Sequence, residues 1–248
     1  MTTIAAARNL SSQAVIQANT LQILRAPYSS AIYGPVSDGD FVPALPGLLL
    51  AQGDFAQNVS VMVGHNTRES PSFSPPYVQT NQDLIDFLRS TNPGAPAPVL
   101  DYIVNELYPA DYNGSQPYSS PLERTFLLIQ EGSFTCNTNF LNRAFKNQTY
   151  AYEFQVPPAL HGQDVAYTFY HGQGTNLSIG LFAPVAQIFQ AYLVNFAQTG
   201  NPNGRGLPNF PMQGNNATLL GINATYIRTQ RDDTANPRCA WWQKSLLT

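Results

Sequence analysis

The chain has 248 residues, 43% of them hydrophobic, with a formal charge of −3 and only 11% charged residues. That length can bury a core in one large or two small domains, and the slightly acidic balance offers no basic footprint for nucleic acid. Sparse charge together with 12% aromatic residues does not fit the composition of a disordered chain.

Met1 to Arg8 reads M-T-T-I-A-A-A-R, without the charged start and apolar centre of a signal peptide. The longest apolar runs, such as residues 46–51, are far too short to span a bilayer. Asn58 to Gly64 (N-V-S-V-M-V-G) is a short β-branched run ending in glycine and predicts a buried strand. Residues 81–90 put Leu84, Phe87 and Leu88 on one helical face. Residues 98–108 do the same with Leu100, Ile103, Val104 and Leu107. Ser120-Pro-Leu-Glu123 is a capping box with proline at the first helical position. The helix it opens runs through Phe126, Leu127 and Ile129, meets an irregularity at Gly132, and resumes through Phe140 and Leu141.

Tyr150 to Val156 alternates and is aromatic-rich, which predicts a second strand, ended by Pro157 and Pro158. Residues 183–199 form the clearest helix, with Val185, Ile188, Phe189, Tyr192, Leu193 and Phe196 on one side. Gly200 and the following Asn-Pro-Asn-Gly204 stop it. Cys239-Ala-Trp-Trp242 opens a last short helix. Strands alternating with helices indicate an α/β layer structure.

In such a fold, ligands bind beyond the carboxyl ends of the strands. Two loops qualify: Gly64-His-Asn-Thr-Arg-Glu69, and Pro158-Ala-Leu-His161-Gly-Gln-Asp164. Glu69 and His161 on neighbouring loops would form two parts of a proton relay, with the histidine as base and the carboxylate as its orienter. Taken singly, a glutamate after a strand is usually a solvated loop residue, and a lone histidine between Pro-Pro and Gly is more often a surface or turn residue. The three histidines, His65, His161 and His171, show no metal-ligand spacing, so neither a metal nor another cofactor is expected.

Seven Asn-x-Ser/Thr sequons occur, at Asn9, Asn58, Asn113, Asn147, Asn176, Asn216 and Asn223. Residue frequencies alone would give roughly three, and the excess leans towards a secreted ancestry. Cys136 and Cys239 can form one disulfide or remain two buried thiols.

Four of these stretches together resemble the type-B carboxylesterase/lipase family, the cholinesterase-like α/β-hydrolases. Tyr33 to Pro43 resembles the family's P-V-x-D-G-x-x-x-P segment, and Gly64 to Glu69 its G-x-N-x-x-E acid motif. Pro158 to Asp164 resembles its histidine motif, and Val194 to Asn203 its F-x-x-x-G-x-P-N segment. The resemblance implies that Glu69 is the acid and His161 the base of a catalytic triad. It implies an ester or lipid-like small-molecule substrate in the full-length protein, hydrolysed by acyl transfer to water, with no nucleic-acid partner and no transmembrane segment. It also implies secretion, and a disulfide between Cys136 and Cys239.

One departure matters. The triad order is serine, then acid, then histidine, with the serine in a G-x-S-x-G elbow. No serine before Glu69 has that setting. Ser37 comes closest, but its first glycine, Gly34, is one place too far, and residues 40–43 (Asp-Phe-Val-Pro) follow instead of a helix. Ser133 and Ser178 lack the flanking pair of glycines and lie after Glu69. No Gly-Gly pair supplies an oxyanion loop, and His171-Gly-Gln-Gly174 lies after His161. The resemblance therefore implies the C-terminal portion of an α/β-hydrolase, a single incomplete domain over 1–248 with an incomplete central sheet and no nucleophile. The alternative is a non-catalytic pseudoenzyme or secreted binding module of the same fold.

Overall fold

A computed structural model describes residues 3–28, 30, 32–34, 36–172 and 181–245. They divide into two compact units, one of residues 1–36 with 73–125 and one of residues 37–72 with 126–248.

The second unit is built on a mixed sheet. Its strands are β1 (Met62–Asn66), β2 (Tyr150–Phe154), β3 (Thr218–Ile222) and β4 (Ile227–Arg231), in the order β1-β2-β3-β4. β1, β2 and β3 run parallel, and β4 returns antiparallel to β3. The first predicted strand is displaced: β1 begins at Met62 and continues through His65 and Asn66. His65 is therefore a strand residue opposite Glu153, not a loop residue. Among the described residues β1 has a single strand partner, β2.

Tyr150, Tyr152 and Phe154 point to one face of the sheet, as the period of two requires. There they meet α9 (Ala183–Thr199), which buries Val185, Ala186, Phe189 and Tyr192 at helical spacing. Full burial of each large apolar side chain contributes about 1.5–3 kcal/mol. Gly200 ends α9 in the left-handed region (φ 73°), its N–H donating to the Phe196 carbonyl at 2.8 Å. Asn203 then pins Phe210 to this core, giving and taking a hydrogen bond with its backbone at 2.8 Å each.

Under the other face lie α7 (Cys136–Ala144) and α10 (Pro237–Ser245). Cys136 and Cys239 join them in a disulfide, 103 residues apart in sequence, packed with Phe140 and Trp242. The irregularity expected at Gly132 is a π-helical stretch, Gln130–Thr135, between α6 (Pro121–Ile129) and α7. Trp242 lies against Gly132, where a Cβ would come within 3.2 Å of its ring. Glu131 in the same stretch holds Arg238 through two hydrogen bonds, at 2.6 and 2.8 Å.

The first unit contains the predicted helices α4 (Asn81–Thr91) and α5 (Ala97–Tyr102), the latter running into a π-helical turn, Ile103–Leu107. Arg124 is 2% exposed and donates to the carbonyls of Tyr108 and Val104 and to Asn81. Its buried charge thus satisfies backbone acceptors left open at a helix end. The Ser120–Glu123 cap forms with a shift. Glu123 N–H donates to Ser120 Oγ, but the Glu123 carboxylate accepts from Ser119, not Ser120. The unit also includes α1 (Ile4–Arg8) and α2 (Ser12–Arg25), which the sequence pattern does not announce; Val15, Ile16, Leu21, Ile23 and Leu24 of α2 are exposed. No helix among the described residues is long and apolar enough to cross a membrane.

Candidate active site

The parallel register of β1 and β2 carries on past their ends. Thr67 N–H donates to the Phe154 carbonyl at 3.1 Å, and Arg68 N–H to the Ala159 carbonyl at 2.9 Å. Arg68 and Leu160 form an isolated parallel bridge. The next residue on each side is a member of the predicted pair. Ala159 adopts φ 54°, a left-handed conformation that costs a residue with a Cβ roughly 1–2 kcal/mol. Its own N–H bonds back to the Val156 carbonyl at 2.9 Å, so the tight turn sets the direction of the loop.

The result is a direct contact: His161 Nδ1 lies 2.5 Å from Glu69 Oε2. Glu69 is 5% exposed, whereas the His161 side chain is 46% exposed. A buried carboxylate is tolerated where its lone pairs are occupied, and they are. Glu69 Oε1 accepts from Asn66 N–H at 2.5 Å and from Asn66 Nδ2 at 3.3 Å. Glu69 N–H donates to Gln130 Oε1 at 3.3 Å. The π-helical stretch also supplies Phe134, whose ring centre is 5.0 Å from that of the His161 imidazole. One irregular turn therefore touches both members of the pair, a common setting for π-bulges.

A second carboxylate lies nearby. Asn66 Nδ2 donates to Asp164 Oδ1 at 3.2 Å, and the Tyr152 hydroxyl donates to Asp164 Oδ2 at 3.0 Å. Burial raises the pKa of the Tyr152 phenol, and the negative charges of Asp164 and Glu69 raise it further. Tyr152 is thus a neutral donor. Asn66, Gln130, Phe134, Tyr152 and Asp164 were not expected from the sequence as site residues. Asn66 and Asp164 stand inside the acid and histidine motifs; the other three carry no local signal.

The remaining expectations fall elsewhere. The Asp38-Gly39 segment is a turn in which Asp38 Oδ1 accepts the N–H groups of Asp40 and Val42, at 3.0 and 2.9 Å. The Val42 amide, then that of Asp40, holds this carboxyl below the usual range. Ser37 is an exposed loop residue and Ser133 an exposed residue of the π-helical stretch. Ser178 and the sequon at Asn176 lie outside the described residues. Asn9, Asn58, Asn113 and Asn216 are exposed, whereas Asn147 and Asn223 are half-buried. The side chains of these last two donate to Asn215 Oδ1 and to the Gln155 carbonyl.

Comparison with known proteins bears on the family and the fold. The profile of the carboxylesterase family matches residues 2–242. A carboxylesterase of Penicillium expansum, patB, is 36% identical over 238 residues, covering 96% of this chain and 42% of the relative. A secreted lipase of Arthroderma benhamiae is 28% identical over 250 residues, covering 93% of this chain and 46% of the relative. The chain thus spans less than half the length of either. The crystal structure of Aspergillus niger EstA superposes with a TM-score of 0.73 at 20% identity, over 87% of this chain and 45% of EstA. That likeness concerns the fold, which is of the α/β-hydrolase kind, with four strands of a mixed sheet flanked by helices. The chain belongs to the carboxylesterase family.

Proposed function

We propose that Glu69 and His161 are the acid and base of an ester-hydrolysing relay. The observation that carries this reading is the 2.5 Å contact between His161 Nδ1 and Glu69 Oε2, two groups 92 residues apart in sequence. With Nδ1 occupied by the carboxylate, Nε2 is the ring nitrogen that takes the proton of a nucleophile and returns it to the leaving alcohol. Buried Glu69 fixes the tautomer and stabilises the imidazolium formed on the way. His161, half-exposed, can deliver that proton at the surface of this unit.

The nucleophile is a serine outside this chain, in a G-x-S-x-G elbow, together with the oxyanion donors that such an elbow carries. Hydrolysis then proceeds through an acyl-serine intermediate. The substrates are carboxylic esters, including lipid-like ones. The Cys136–Cys239 disulfide fits an oxidising compartment, as does similarity to a relative named a secreted lipase, and the protein is read as secreted. The non-catalytic alternative gains nothing from the geometry, because the acid and base lie in direct contact.

The test uses the purified chain with a chromogenic short-chain ester and a fluorophosphonate probe for activated serines. No hydrolysis above the His161→Ala variant, and no probe labelling, are the expected results. A His161-dependent rate from the chain alone would place the nucleophile inside it and overturn this division of labour.

A further inference from the structure

Asn66 has two side-chain N–H donors, and the structure accounts for both. One is directed at Glu69 Oε1 (3.3 Å) and the other at Asp164 Oδ1 (3.2 Å). A rotated carboxamide would turn its oxygen towards two carboxylates, so only one orientation is favourable. That orientation leaves Asn66 Oδ1 buried with no hydrogen-bond partner among the described residues, in a side chain only 3% exposed. Buried polar atoms are rarely left open. A conformation kept despite an open acceptor is held by what the other end of the amide does.

Two elements converge on that other end. Asp164 stands in the first turn of α8 (Gln163–Thr168), three residues after His161. Its second oxygen takes the Tyr152 hydroxyl from β2, and the Tyr152 ring lies tightly over Gly64 of β1. Asp164 is therefore fixed from the strand side and from its own helix. It presents Oδ1 to an amide whose opposite hydrogen meets the acid of the pair.

We infer that Asp164 is a positioning residue, which accepts one N–H of Asn66 and thereby fixes the Glu69 carboxylate against His161. It acts through Asn66 and Glu69. The inference rests on the relay reading and adds a second carboxylate to it. It also explains why asparagine stands at position 66: a residue with one donor, or with none, could not bridge two carboxylates.

The experiment is NMR of the complete chain with 15N-labelled histidine, in which only His65, His161 and His171 contribute signals. The readout is the exchange with water of the His161 Nδ1 proton. Asp164→Ala is expected to speed this exchange at least about tenfold relative to wild type, as loss of a charged acceptor from a buried network implies. Asp164→Asn keeps an acceptor oxygen and is expected to stay within about twofold of wild type. Should Asp164→Ala fail to fold, Tyr152→Phe removes the hydroxyl that holds Asp164 but keeps the ring, and faster exchange is expected there too. Wild-type exchange in a folded Asp164→Ala or Tyr152→Phe protein would overturn the positioning role. Glu69→Gln separates the two readings. A protected proton that does not depend on Glu69 would overturn the acid–base pair itself, and the inference with it.

Discussion

The phenol ring of Tyr152 on β2 crosses Gly64 on β1 so closely that a Cβ at position 64 would lie 2.1 Å from ring atom Cζ. This is what the first glycine of the G-x-N-x-x-E stretch does. It lets an aromatic ring from the adjacent strand lie over β1 and carry its hydroxyl to Asp164.

Gly64→Ala is accordingly expected to destabilise the protein by about 1–3 kcal/mol, the usual cost of forcing atoms into a filled site. Urea denaturation measures it. The partner variant Tyr152→Leu should relieve much of the strain, so the double variant should be more stable than the sum of the single changes predicts. Additive effects would show that the ring and the glycine are not in contact.

The Cys136–Cys239 bridge closes a loop of 103 residues. In the chain-entropy picture it contributes about 4–5 kcal/mol. The Cys136→Ala/Cys239→Ala protein should therefore unfold at a much lower urea concentration than the oxidised chain. A reduced wild type should fall beside the double variant.

Two caps in the first unit give a pH dependence. Asp83 is held below the usual carboxylate range by the Gln79 amide, then by the Thr80 side chain and amide. Glu123 is held low by the Ser119 hydroxyl and then its amide. Both have folded pKa values below their unfolded ones. Their contribution is thus present above the unfolded value and lost as pH falls through the lower, folded value. Asp83→Asn/Glu123→Gln should lower the melting temperature at pH 7 and make no difference at a pH acidic enough to protonate both carboxyls in the folded protein. An equal loss at both pH values would contradict the assignment.

Protein made in a secretory eukaryotic host should carry glycans at exposed Asn9, Asn58, Asn113 and Asn216. Little should appear at Asn147 and Asn223, whose amide groups are held by Asn215 Oδ1 and the Gln155 carbonyl. Glycopeptide mapping decides it, and dominant occupancy at Asn223 would contradict the burial argument.

What is legible in the sequence follows from how local each signal is. α9 is readable end to end, because its apolar face repeats at helical spacing and Gly200 caps it. The irregularity at Gly132 is also readable, although the Trp242 ring that lies against it comes from far away in sequence. The strand expected at 58–64 starts too early, because its β-branched run begins before the segment that pairs along β2. β3 and β4 leave no clear pattern. β3 is a short run containing Gly221, and β4 reads I-R-T-Q-R, a largely polar edge strand that shows no alternation. Glu69 and His161 are readable as a candidate pair from their positions on loops after strands, and the resemblance supplies their roles as acid and base of one triad. The Tyr152–Asp164–Asn66 chain of hydrogen bonds is not legible as a chain, although Asn66 and Asp164 stand inside motifs, since it is made by strand register and a ring crossing a glycine.

The most direct test of the central claim joins this chain, in frame, to the portion of the Penicillium expansum carboxylesterase that it does not cover. Hydrolysis of a chromogenic short-chain ester is then measured for the parent fusion, His161→Ala and Glu69→Gln. His161→Ala is expected to lower kcat at least about 10³-fold and Glu69→Gln about 10²–10⁴-fold, with KM little changed. Hydrolysis that persists undiminished in both variants would contradict the assignment of Glu69 and His161 as acid and base.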